Sequence, residues 1–402
     1  MPSESRDLRR SIAAAKKTLP PVRLPGVPVA VSTAQRKLEP IADAISPTAV
    51  RFAFLGAGQG GSRMVQSFWD LGYRRALVVN TTDMDFAGLA EELPKYSFQS
   101  GGAAKDMQRA RQALEQHASD VYDRLLRAWG PQVDQVLICA SLGGGTGSGT
   151  APRLVQLARQ YLQQYAPEGR VGVLVSLPAV TEGQQVARNA VTALRQLWDL
   201  APSPLLVVDN VRIHELYQPG MLHLHRVANE TIAQLVHTFN TLAATRSPLM
   251  SFDASEWQQL LSGGLMTLAA AEIPLETITS PADVSTAIRE QLTQNILAGC
   301  DWRTGKKAAL LFTGPESAFE QFSLDYFDAG FTQLDRIIGA QANEPVVIHR
   351  GLYLQDHDGL HAYCCVAGLE PPLTRLGELA AKAQLASPQR PFGSLADFLG
   401  LA

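Results

Sequence analysis

Cysteine is scarce in this 402-residue chain. There are four, Cys139, Cys300, Cys364 and Cys365, each in or beside an apolar run and none in CxxC spacing. That argues against a disulfide-built scaffold and a zinc site, and for core thiols in a reducing compartment. A dominant charge is also missing. Charged residues make up 18 % of the chain and the net charge is -3, so no direct nucleic-acid binding is expected. No apolar run reaches the roughly 18 residues of a membrane span. The N-terminus is too charged for a signal peptide, and a cytoplasmic protein is expected. No GxxxxGK[ST] occurs, which excludes a P-loop. No internal repeat is visible, and the length allows two or three domains with cores of their own.

Glycine is dense in one stretch. Ser141 to Thr150 reads SLGGGTGSGT, with five glycines in the seven residues from Gly143 to Gly149. It follows the apolar run Val136–Ala140 and precedes Leu154, Leu157 and Ala158 at helical spacing. A strand, a glycine loop and a helix in that order form an anion site. The backbone can approach a ligand closely, and unpaired N–H groups at the helix start point at it. Thr146 and Ser148 add hydroxyl donors suited to phosphate oxygens.

Elsewhere the chain alternates strands and helices. Val50–Leu55, Tyr73–Asn80, Val171–Leu177 and Pro204–Asp209 read as strands. Helices are expected from Met64 to Leu71, from the loop at Ser100–Asp106 to about Trp129, and from Glu182 to Leu200. This pattern specifies an α/β fold, a Rossmann-like doubly wound parallel sheet whose ligands sit at the carboxyl ends of the strands. A long helix is expected over Val227–Ala244, with Ile232, Leu235, Val236, Phe239 and Leu242 on one stripe. A smaller α+β domain is expected over Lys306–Leu369. Residues 1–48 form a basic, proline-rich extension in which Leu8, Ile12, Ala15 and Leu19 fall at helical spacing. It reads as a solvated arm or as an amphipathic helix for an adaptor or membrane surface. The tail from 371 to 402 is proline-punctuated and closes on a short apolar segment, a second candidate for such contacts.

A second glycine loop, Gly56-x-Gly58-x-x-Gly61, satisfies GxGxxG, and Asp83 could hold a ribose as in a dehydrogenase. That reading leaves the richer loop after Ala140 unexplained. Two glycine loops facing one crevice suit a nucleoside triphosphate held without a P-loop lysine.

GGGTGSG at Gly143–Gly149 resembles the signature of the tubulin/FtsZ superfamily of GTPases, and the order and spacing of the rest are similar from about Val50 to Leu369. The resemblance implies a GTP-binding domain over 49–225, a central core helix with its lead-in over 226–250, and a C-terminal activation domain over 251–370. Gly58, Gln59, Gly60 and Gly61 resemble the first nucleotide loop, and Asn80-Thr81-Thr82-Asp83 the second, one residue longer than usual. Gly102, Ala103, Ala104 and Lys105 resemble the loop that senses the γ-phosphate. Lys105, where FtsZ usually has Asn, is either an extra phosphate cation or an exposed helix-start lysine. Gly143, Gly144, Gly145, Thr146, Gly147 and Ser148 cradle phosphate in this family. Glu182 stands where the family contacts ribose, and Asn210 where it reads guanine. His225 takes the place of an aromatic that stacks on the purine, and Asn229, four residues on, that of a base-edge contact.

Ser251-Phe-Asp-Ala-Ser-Glu256 is similar to the family's catalytic loop, with Asp253 and Glu256 in its two acidic places and Ser251 replacing Asn. Locally the same residues spell a helix cap. The resemblance implies GTP and GDP as ligands, Mg²⁺ as cofactor, and a head-to-tail polymer of the chain with itself. In such a polymer one subunit's Asp253 and Glu256 act on the nucleotide of the next. A non-hydrolysing nucleotide-dependent scaffold, or a regulator of related filaments, is the alternative.

Overall fold

The computed structural model describes residues 37–45, 47–217, 224–291, 295–339 and 346–384. The stripe from Leu8 to Leu19 and the closing segment from Phe392 lie outside the described residues.

In the first half the strands are β1 (Phe52–Ala57), β2 (Ala76–Asn80), β3 (Lys95–Ser97), β4 (Gln135–Ser141), β5 (Arg170–Leu177) and β6 (Leu205–Asp209). Between them run α1 (Gly58–Asp70), α2 (Met107–Gln116), α3 (Ala118–Trp129), α4 (Gly145–Tyr165) and α5 (Gln184–Asp199). After β6 come α6 (Asn210–Tyr217), α7 (Leu224–Leu242), α8 (Ala254–Leu261), β7 (Leu265–Ile273) and α9 (Pro281–Gln291). The chain continues through β8 (Lys307–Gly314), α10 (Glu316–Gln321), α11 (Leu324–Gly339), β9 (Val347–Leu354), β10 (Leu360–Ala367) and α12 (Leu373–Ala383).

The expected doubly wound sheet is present, in the order β3-β2-β1-β4-β5-β6 with all neighbours parallel. The C-terminal strands continue the same sheet. Leu205 and Leu206 of β6 pair in parallel with Leu265 and Met266 of β7, and β10 then runs antiparallel to both β7 and β8. The strands other than β3 feed two cores. Phe52 and Phe54 of β1 face one, with Met64, Val65 and Phe68 of α1 and Ile232, Val236 and Phe239 of α7. Ala53, Leu55 and Ala57 face the other, with Val121 of α3, Leu154 of α4 and Ala190 of α5. Strands covered on both faces must be apolar throughout, hence the unbroken runs in the sequence. The stripe on α7 is buried at every named position.

Three expectations shift. The helix expected up to Trp129 is two helices, because His117 leaves the helical path to stack on Phe98 and to share a 2.8 Å hydrogen bond with the Tyr96 hydroxyl. The end of the arm, from 37 on, lies against the body. Asp43 pairs there with the buried guanidinium of Arg75, and the Ala44 N–H donates to Gly72 O at 2.8 Å. The first part of the tail is α12, which packs on α5.

Candidate functional site

The polar ends of β1, β2, β4, β5 and β6 open on one cavity of about 440 Å³. Two helices begin there. α1 follows Ala57 and α4 follows Gly144, and neither start receives a side-chain cap or carries an acidic residue in its first turn. Their first N–H groups are thus left for a ligand, and both helix dipoles favour an anion at this spot. Two buried hydroxyls nearby, Ser62 Oγ and Ser148 Oγ, have no partner among the described residues.

Most of the glycines serve the loops' contact with one another rather than with a ligand. A Cβ on Gly61 would stand 2.1 Å from Cys139 O, and one on Gly147 2.5 Å from Ser141 O. Gly144 differs: a Cβ there meets nothing within 4 Å, and the residue lines the cavity.

Of the expected nucleotide contacts, Gly58, Gln59, Gly60, Gly102, Ala103, Ala104, Lys105, Gly144, Gly145, Thr146 and Gly147 line this cavity, and so do Glu182, Asn210, His225 and Asn229. Gly61, Asn80, Asp83, Gly143 and Ser148 do not line it. Asn80 instead organises its own loop, donating from Nδ2 to Asp85 Oδ2 at 2.9 Å and accepting the Thr81 N–H at 2.7 Å. The carboxylate on the cavity wall is Asp85, and Asp83 is exposed beside it. Thr81 and Thr146 share a 2.9 Å hydroxyl hydrogen bond that joins two of the loops.

The loop carrying Lys105 is held in a conformation that side chains resist. Ala104 and Lys105 have φ of +48° and +64°, which costs about 1–2 kcal/mol at each non-glycine residue. Asn189 of α5 holds it, donating from Nδ2 to Lys105 O at 2.8 Å and to Gly143 O at 3.4 Å. Nothing in the sequence marked Asn189, which lies inside an amphipathic helix.

Asp253 and Glu256 line no part of the cavity. They form a complete capping box at the start of α8. Asp253 Oδ1 accepts the N–H of Ser255 at 2.8 Å, the N–H of Glu256 at 2.9 Å and the Ser255 hydroxyl at 2.7 Å. Glu256 Oε2 accepts the Asp253 N–H at 2.9 Å, while its Oε1 meets Nδ1 of His349 at 2.9 Å. The Glu256 N–H and the Ser255 hydroxyl hold the Asp253 carboxyl below the usual carboxylate range. Asp253 is exposed, and its Oδ2 has no partner among the described residues. Ser251 Oγ accepts the Ser247 N–H at 2.9 Å, bracing the turn before the box.

A family model described as the tubulin/FtsZ family GTPase domain matches residues 51–218, the segment that builds this cavity. The chain carries a tubulin/FtsZ family GTPase domain. It is 24 % identical over 362 residues to the tubulin-like protein TubZ of Bacillus cereus, with 80 % of each chain covered. It is also 24 % identical to cell division protein FtsZ 2 of Pyrococcus furiosus, over 72 % of this chain and 70 % of that one. Its fold is similar to that of a GTPγS-form protofilament of Bacillus thuringiensis serovar israelensis TubZ, with a TM-score of 0.70, 20 % identity and coverage of 84 % and 91 %. The GDP-bound CetZ1 monomer of Haloferax volcanii aligns with a TM-score of 0.66 at 22 % identity, over 84 % of this chain and 100 % of that one. The open helix starts and the capped acidic loop stand at separate places on one body. Among the described residues no helix is long and apolar enough to cross a membrane.

Proposed function

We propose that this chain binds GTP and GDP in the cavity at α1 and α4, assembles head to tail, and hydrolyses GTP at the contact between copies. Asp253 and Glu256 of one copy act there on the nucleotide held by the next. The supporting observation is their separation: the cavity has every element of an anion cradle, and the two acids lie outside it. The Bacillus thuringiensis TubZ structure is a GTPγS-form protofilament, which supports the same assembly here.

Phosphoryl transfer to water needs positioning and charge compensation more than covalent help. The N–H groups at the starts of α1 and α4, with Thr146 and Lys105, hold the phosphates. Asp253, fixed through Oδ1, keeps Oδ2 for the attacking water, and Glu256 is steadied by His349. The carboxylate of Asp85 and the hydroxyls of Thr81 and Thr146 are hard oxygen donors of the kind Mg²⁺ accepts alongside phosphate and water. Bound there, the ion would neutralise phosphate charge. Phosphate release measured against protein concentration tests the reading. Turnover per molecule should rise steeply once polymers form, and a constant turnover from dilute to concentrated protein would refute a shared site.

The alternative, a nucleotide-dependent scaffold that does not hydrolyse, draws on one observation. Three oxygens of Asp253 and Glu256 are already engaged in capping and in the contact with His349. Assembly with GTP but no phosphate release would select it.

A further inference from the structure

Part of the cavity wall is held from behind by a helix that does not line the cavity. Arg375 of α12 is 8 % exposed, and Asp209, the last residue of β6, is 2 % exposed. Arg375 donates from Nε to Asp209 Oδ2 at 2.8 Å and from Nη2 to Pro178 O at 2.6 Å. One planar guanidinium thus ties together the ends of β5 and β6. Asp209 Oδ1 also accepts the Val211 N–H at 3.1 Å, so Asn210 is fixed on both sides. Pro178 begins the turn in which the Ala179 N–H donates to Glu182 Oε1 at 2.8 Å. At the far end of α12, Ala383 O accepts from Gln184 Nε2 at 3.3 Å, two residues past Glu182. Asn210 and Glu182 both line the cavity, and no residue of α12 does.

A buried ion pair contributes little to stability when well-packed apolar side chains could replace it. α12 already has such side chains in the buried Leu376, Leu379 and Ala383. What the pair adds is a fixed spacing between two loops. We propose that Arg375 is a positioning residue for nucleotide recognition, setting from outside the cavity where Asn210 and Glu182 stand to meet base and ribose. This rests on the guanine-nucleotide reading above.

Two variants and two probes test it. Arg375→Lys keeps the charge but loses the fork that reaches both acceptors. The pair Asp209→Asn with Arg375→Met removes both charges, so that neither is left buried alone. Calorimetric titration with GDP and with inorganic triphosphate separates contacts to base and ribose from contacts to phosphate. Both variants should lose roughly tenfold in GDP affinity, within the range of coupling between distant sites, and keep their affinity for triphosphate. Unchanged GDP affinity in a folded variant, or an equal loss for both probes, would overturn the proposal. Should the double variant fail to fold, the lysine variant decides by the same comparison. A wild-type protein that binds triphosphate but does not prefer GDP to ADP would refute the guanine reading itself.

Discussion

α1 and α4 begin with no side chain to cap them, whereas α8 begins inside a complete capping box. An open start keeps its N–H donors for something else. A closed start spends them on its own carboxylates and so fixes those carboxylates in space. The first arrangement suits binding an anion, and the second suits presenting acid groups in one geometry before a partner docks. One chain carries both.

The open starts are probed at two glycines, one that packs the loops together and one that lines the cavity. Gly61→Ala puts a methyl 2.1 Å from the Cys139 carbonyl oxygen, and backbone cannot yield cheaply. It should destabilise the protein by about 3 kcal/mol, read as a fall in denaturation midpoint. Gly144→Ala meets nothing and should keep wild-type stability while weakening nucleotide binding about tenfold, a loss of about 1.4 kcal/mol. If Gly144→Ala bound GDP normally, the cradle would not lie at the start of α4.

The closed start is tested at Asp253. Asp253→Ala should cut hydrolysis by about 10²–10⁴ and remove a cap worth about 1 kcal/mol, leaving GDP affinity unchanged. Asp253→Asn keeps a good cap and should lose hydrolysis alone, which phosphate release and thermal denaturation together would show. A smaller effect is expected at Lys105, where φ is +64°. Lys105→Gly should raise stability by about 1 kcal/mol and narrow the preference for GTP over GDP.

The smallest effect is in pH. Because the folded Asp253 carboxyl is depressed by the N–H of Glu256 and the hydroxyl of Ser255, its stabilisation is present above the unfolded value of about 3.9. It is lost as pH falls through the lower folded value. The stability difference between wild type and Asp253→Ala should therefore hold steady above about pH 5 and shrink in stronger acid.

The strand, glycine loop and helix around Gly143–Gly149 were legible because they are local in sequence, and so was the stripe on α7. The fourth residue of Asn80-Thr-Thr-Asp83 was assigned to the site by register alone. In the fold the loop turns so that Thr81, Thr82 and Asp85 face inward. α12 was hidden because Pro371 and Pro372 read as breakers, although proline is also favoured where a helix begins. Arg375 was illegible for a different reason: its partners are 166 and 197 residues away, and no local pattern announces a contact of that range. His349, which meets Glu256 from β9, belongs to the same class.

The division of labour between copies is tested most directly by mixing two variants. A Gly144→Leu protein has a filled cradle and intact acids, and an Asp253→Ala protein has an intact cradle and no acid at 253. Each alone should release almost no phosphate, and the mixture, pelleted together as one polymer, should recover hydrolysis. A copolymer no more active than its parts, or an Asp253→Ala protein that turns over GTP at the wild-type rate by itself, would contradict it.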